Sequence, residues 1–141
     1  MRIGHRLAVV AASLLGALFV SGAQAQAINF SAREIALKSG ETTEVSDVYS
    51  INANCQSMLK GTPEVEILNG PPGVTAAITA AKIVPRDYSC ASPVSGGKLI
   101  LTAKDIRKYS YTRMVLLFRY KTFGGDKRSS EDINLALYPP N

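Results

Sequence analysis

Histidine is nearly missing from this chain: the one copy, His5, stands in the first six residues. Tryptophan is absent, and there are two cysteines and three methionines. If the leader described below is removed, no imidazole remains. Ser-His-Asp and Cys-His nucleophiles are then excluded, together with every zinc site that uses histidine. Met58 and Met114 are too few for a copper-carrying methionine surface. Neither G-x-G-x-x-G nor G-x-x-x-x-G-K-[ST] occurs, so a nucleotide phosphate has no cradle. No cofactor and no metal site is expected.

Residues 1–25 explain what the rest of the composition is for. Arg2 and Arg6 make a positive start, residues 7–20 carry no charge, and Ala23-Gln24-Ala25 is a small-x-small cleavage pattern. This reads as a signal peptide cut after Ala25, leaving residues 26–141 as a single domain. The apolar run of fourteen residues spans roughly 21 Å as a helix, short of the ~30 Å of a hydrocarbon core. Stable membrane insertion after cleavage is therefore not expected. The alanine-rich leader looks bacterial, which points to the periplasm or to secretion. Asn29-Phe30-Ser31 is a glycosylation sequon that matters only in a eukaryotic host.

Export places Cys55 and Cys90 in an oxidising compartment, where an even count favours pairing. The spacing lacks a C-x-x-C motif, and no imidazole is at hand to activate a thiol. One Cys55–Cys90 disulfide is the expectation.

Charge is unevenly spread. After cleavage fourteen bases face eleven acids, a net +3. From residue 26 to 70 acids outnumber bases six to three; from Pro71 onward eleven bases face five acids. Eight of those bases fall between Lys104 and Arg128. Such asymmetry suits an anionic partner, although a solvated surface needs no partner at all. A net charge this modest, on an exported chain, argues against nucleic acid.

The mature chain carries no long amphipathic helix pattern. It carries short alternating runs broken by turn residues. "NFSAREIALKSG", ended by Ser39-Gly40, and "TTEVSDVYSIN" come first. "EVEIL" sets Val65 and Ile67 against Glu64 and Glu66, a half-buried strand. "NGPPG" is a turn. "VTAAITAAKIVP" alternates Val74, Ala76 and Ile78, with its small alanines leaving a helix open. "KLILTA" is a strand. "KDIRKYSY" predicts one helical turn. "TRMVLLFRYKT" aligns Met114, Leu116, Phe118 and Tyr120 and is apolar at its centre on both faces, as a central strand is. "FGGDKR" predicts a longer hairpin loop, and "SSEDINLALYP" returns with Ile133, Leu135 and Leu137 in line.

Seven to eight short strands in one domain predict an all-β, antiparallel, immunoglobulin-like β-sandwich; a small closed barrel is the second architecture the pattern admits. The segment "DIRKYSY", with Tyr109 and Tyr111 ahead of the penultimate strand, is similar to the tyrosine corner of immunoglobulin-like domains. The cysteines do not match: they precede the third strand and "KLILTA", so they do not make that fold's usual bridge between its second and penultimate strands.

Three chemical readings follow from the residues. A carboxylate-based hydrolase would use Glu64 and Glu66, paired on one strand face, although such i, i+2 acids ordinarily just face water. Asp126, Glu131 and Asp132 could hold calcium only loosely, for they lack an EF-hand pattern. The third is binding at a loop: "KTFGGDKR" brings Lys121, Lys127 and Arg128 to Phe123 on an exposed tip. Tyr49, Tyr88 and Tyr138 offer stacking surface for a glycan. The expected function is a non-enzymatic exported domain binding a protein or an anionic envelope polymer. A histidine-free hydrolase, or a structural subunit pairing through an edge strand, are the alternatives.

Overall fold

In the computed structural model, residues 33–141 are described. The signal peptide expected at residues 1–25 and the Asn29-Phe30-Ser31 sequon fall outside the described residues. Seven strands follow one another: β1 (Arg33–Lys38), β2 (Thr42–Val48), β3 (Glu64–Asn69), β4 (Val74–Ile83), β5 (Val94–Ala103), β6 (Ser110–Thr122) and β7 (Gly125–Tyr138). They form two sheets, one in the order β1-β7-β6-β3 and one in the order β2-β5-β4. The described residues form an all-β sandwich of seven strands.

Alternation places the core. Met114, Leu116 and Phe118 of β6, with Ile133, Leu135 and Leu137 of β7, turn inward from the four-stranded sheet. Val45, Val48, Leu99 and Leu101 meet them from the three-stranded sheet. Period-two patterning thus does what it must in a sheet with one dry face. Val65 and Ile67 of β3 pack against the same cluster. The alanine-rich run is strand β4, paired with β5 along its whole length, so its β-branched positions outweigh its alanines.

Most pairings are antiparallel. The exception is β1, which runs parallel to β7 with Arg33 beside Ile133 and Lys38 beside Tyr138. β6 is internal, between β7 and β3, as its two-sided apolar centre predicts.

Three local expectations are overturned. Residues 104–109 contain no helical turn. Tyr109 and Tyr111 are exposed; Tyr111 points its hydroxyl at Glu34, 3.5 Å away, so neither forms a tyrosine corner. The connection between β6 and β7 is a tight turn at Phe123-Gly124, because Thr122 already pairs with Gly125. Gly125 supplies the positive φ (+106°) that lets so short a turn rejoin a twisted ladder. The buried Thr122 hydroxyl donates to the Gly125 carbonyl at 2.6 Å and accepts from the Gly124 amide at 3.2 Å.

Cys55 and Cys90 form a disulfide with their Cα atoms 5.7 Å apart, an ordinary span for the bond. It joins the β2–β3 crossover, which passes from one sheet to the other, to the β4–β5 connection. Downstream of Cys55 the crossover runs beside the hairpin tip: Lys60 N donates to Lys121 O at 2.8 Å, and Phe123 N donates to Met58 O at 3.0 Å. The sulfur link and the hairpin are therefore mechanically connected through five residues of backbone. A disulfide fits an oxidising compartment. Among the described residues no helix is long and apolar enough to cross a membrane.

Candidate functional site

The distal half of the β6–β7 hairpin differs from the rest of the sandwich. β6 stays apolar on its inner side there, but β7 reads Gly-Asp-Lys-Arg-Ser-Ser-Glu from Gly125 to Glu131 and is exposed throughout. Neighbours on a strand face opposite ways, so Lys127 and Arg128 emerge on different sides of the sheet. Lys127 sits opposite Tyr120 on the inner side, and Arg128 sits opposite Arg119 on the outer side.

Two hollows flank the hairpin. The outer one, of about 320 Å³, is lined by Thr62, Glu64, Arg119, Lys121, Asp126 and Arg128, with Tyr120 and Lys127 completing it. The inner one, of about 220 Å³, is lined by Tyr49, Ser50, Tyr120, Lys127, Arg128 and Ser129. Tyr120, Lys127 and Arg128 belong to both. In the outer hollow four cations face two acids.

Ion pairs decide which of those cations are available. Arg119 is held by Glu66 at 2.5 Å, and Arg113 by Asp132. On the other sheet Lys98 is held by Asp47 at 2.7 Å, a contact that raises its pKa. Among the described residues Lys121, Lys127 and Arg128 have no acid within ion-pair distance. Their charge is open to an incoming anion.

Phe123 is 69% exposed at the turn, with the Lys60 ammonium 5.9 Å from its ring centre. The structure thus brings Lys121, Lys127 and Arg128 together on the strands flanking the turn, with Phe123 at its apex. Arg119, Tyr120 and Thr62 join them. Sequence reasoning left Arg119 and Tyr120 out of the site because it read them only as the solvent-reaching end and the aligned face of a central strand. The missed signal was the register: a two-residue turn sets Arg119 opposite Arg128.

The remaining candidates disperse. Glu64 lines the outer hollow, whereas Glu66 is taken by Arg119 and does not reach it. Asp132 is bound to Arg113, and among the described residues no three His, Cys, Asp or Glu side chains gather as metal ligands. Tyr49 donates to Asp87 at 2.9 Å, which with partial desolvation raises its pKa. Tyr88 is exposed near the disulfide, far from Tyr138 in the fold's connectivity. Tyr138 instead meets Tyr109, their ring centres 5.1 Å apart. The three tyrosines therefore form no common platform. Comparison with known protein families, curated proteins and solved structures finds no match to this chain.

Proposed function

We propose that this protein is an exported, non-enzymatic binding domain that takes an anionic protein or envelope polymer on its β6–β7 hairpin. The observation that carries the reading is the grouping of unpaired cations beside the hairpin: Lys121, Lys127 and Arg128 line its hollows and, among the described residues, none is held by an acid, whereas their neighbour Arg119 is. Carboxylate, phosphate or sulfate groups fit such a site, since charge-assisted hydrogen bonds to Lys and Arg favour them. The clamp from residues 58–60 holds the hairpin tip in place, which lowers the ordering entropy on binding. The disulfide supports an oxidising destination, the periplasm or the exterior.

The test is capture of an envelope extract by the oxidised protein, beside titration with a soluble sulfated or phosphorylated polymer at rising salt. Binding should weaken with salt and fall sharply in Lys127→Glu/Arg128→Glu. Equal binding by that double variant would refute the site.

A further inference from the structure

The outer hairpin hollow has a larger neighbour. Thr62, exposed on its rim, also lines a hollow of about 560 Å³. Leu59, Lys60 and Gly61 of the crossover segment form one wall of this second hollow. Ala80, Ala81 and Lys82, near the end of β4, form another, and Ser95 and Gly96, near the start of β5, complete it. The crossover segment therefore lies between the two: Leu59 bridges Thr122 and Lys60 N donates to Lys121 O on the hairpin side, while the same residues face β4 and β5.

Charge is continuous from one hollow to the other. Among the described residues the charged lining of the second hollow is two exposed bases, Lys60 and Lys82, with no acid. Lys82 Nζ donates to Ser95 Oγ at 2.9 Å, which holds the ammonium in place without neutralising it. The Lys60 ammonium lies 5.9 Å from the ring centre of Phe123, so the ground between the hollows is itself positive. Neither lysine has an acid within ion-pair distance among the described residues. Residues 1–32 contain neither Asp nor Glu, so every acidic side chain of the protein is among those described.

Two cationic hollows that meet at one small residue suit a thin chain carrying anionic groups at intervals. A lone anion fills one hollow and gains nothing from the other. A folded acidic protein presents a convex face, which meets the rims of both hollows and the floor of neither. A flexible chain enters both, and its second group then binds at high effective concentration. Lys and Arg make charge-assisted hydrogen bonds to each such group.

We infer that Lys60, Lys82 and Ser95 form a second anion subsite, and that the ligand is an extended polymer bearing repeated phosphate, sulfate or carboxylate groups, laid from the hairpin across Thr62. The inference rests on the hairpin reading above and commits it to a polymer rather than an anionic protein.

Calorimetric titration of the oxidised protein with short and long chains tests it. The three series are polyphosphate, dextran sulfate and polygalacturonate, which also tell the three anionic groups apart. Counted per repeating unit, the long member of at least one series should bind wild type roughly tenfold or more tighter than the short one. Lys60→Gln/Lys82→Gln should abolish that gain with length. Arg107→Gln/Lys108→Gln removes the same charge from residues that line neither hollow, and should keep the gain. All four positions are exposed, and unchanged melting of each variant shows that its fold is kept. A gain that survives in Lys60→Gln/Lys82→Gln, while Lys127→Glu/Arg128→Glu still loses binding, would overturn the second subsite and leave the hairpin reading standing. An equal loss in Arg107→Gln/Lys108→Gln would overturn it too, by reducing the effect to net charge. A wild type that binds no series would overturn the polymer assignment and the subsite together.

Discussion

Arg119 and Arg128 stand directly across from each other on β6 and β7, and only Arg119 has an acid beside it. Like charges in that position destabilise a sheet, so Arg128 costs stability where it stands. Arg128→Thr should stabilise the fold by about 0.2–1 kcal/mol and weaken anion binding. Paired urea melts and polymer titrations check it. A variant that gains stability and binds as before would separate Arg128 from the site.

The disulfide closes a loop of 35 residues, for which chain entropy alone gives roughly 4 kcal/mol. Cys55→Ser/Cys90→Ser should therefore lose about 2–5 kcal/mol in denaturant unfolding. Because residues 58–60 hold the hairpin tip, the same variant should also show faster amide exchange at Lys60 and Phe123 than in the core of β6. Exchange loosened evenly over the molecule would contradict that coupling.

Gly73 has φ +85°, and a Cβ there would run into the Lys104 carbonyl and meet Ile106 Cδ1 at 3.1 Å. Gly73→Ala should destabilise by about 1–3 kcal/mol through strain and overpacking together. Gly40 shares the left-handed backbone, at φ +88°, but has open space around it. Gly40→Ala should lose only about 1 kcal/mol, from backbone strain alone. The difference in denaturation midpoint between the two variants measures the clash.

Tyr49 donates its phenolic proton to Asp87, which raises its pKa above the ordinary 10.0. Its neutral form is favoured in the folded state. The stabilising contribution is therefore complete below the unfolded pKa and disappears as pH climbs through the higher folded one. Phenolate absorbance should show Tyr49 ionising late, a lag that Tyr49→Phe removes. The stability gap between wild type and that variant should close only in alkali.

Much of the sandwich is legible in the sequence because its strands have one dry face. Val65 and Ile67, and Ile133 to Leu137, announce their inward sides by alternation, while Met114 to Phe118 announce an internal strand by being apolar on both faces. The disulfide is legible for a different reason: few other fates are open to two cysteines in a chain whose sequence reads as exported and offers no histidine beside them. What is hidden depends on distant partners. "KDIRKYSY" has polar residues that suit a helical turn, yet backbone contacts from elsewhere fix its path, with Gly73 O accepting from Lys104 N and Ser39 Oγ accepting from Ile106 N. The parallel β1–β7 pair joins residues a hundred positions apart, beyond any local pattern. The candidate site was half visible: Lys121, Phe123, Lys127 and Arg128 are near in sequence, but their division between two sheet faces follows from the tight turn.

The parallel pair of β1 and β7 carries a mechanical meaning. Tension entering ahead of β1 and leaving after β7 draws the two strands past each other lengthwise. All six residue pairs from Arg33 to Lys38 are then strained together, where an antiparallel neighbour would peel one bond at a time. A domain strung between two anchored points would yield late and all at once.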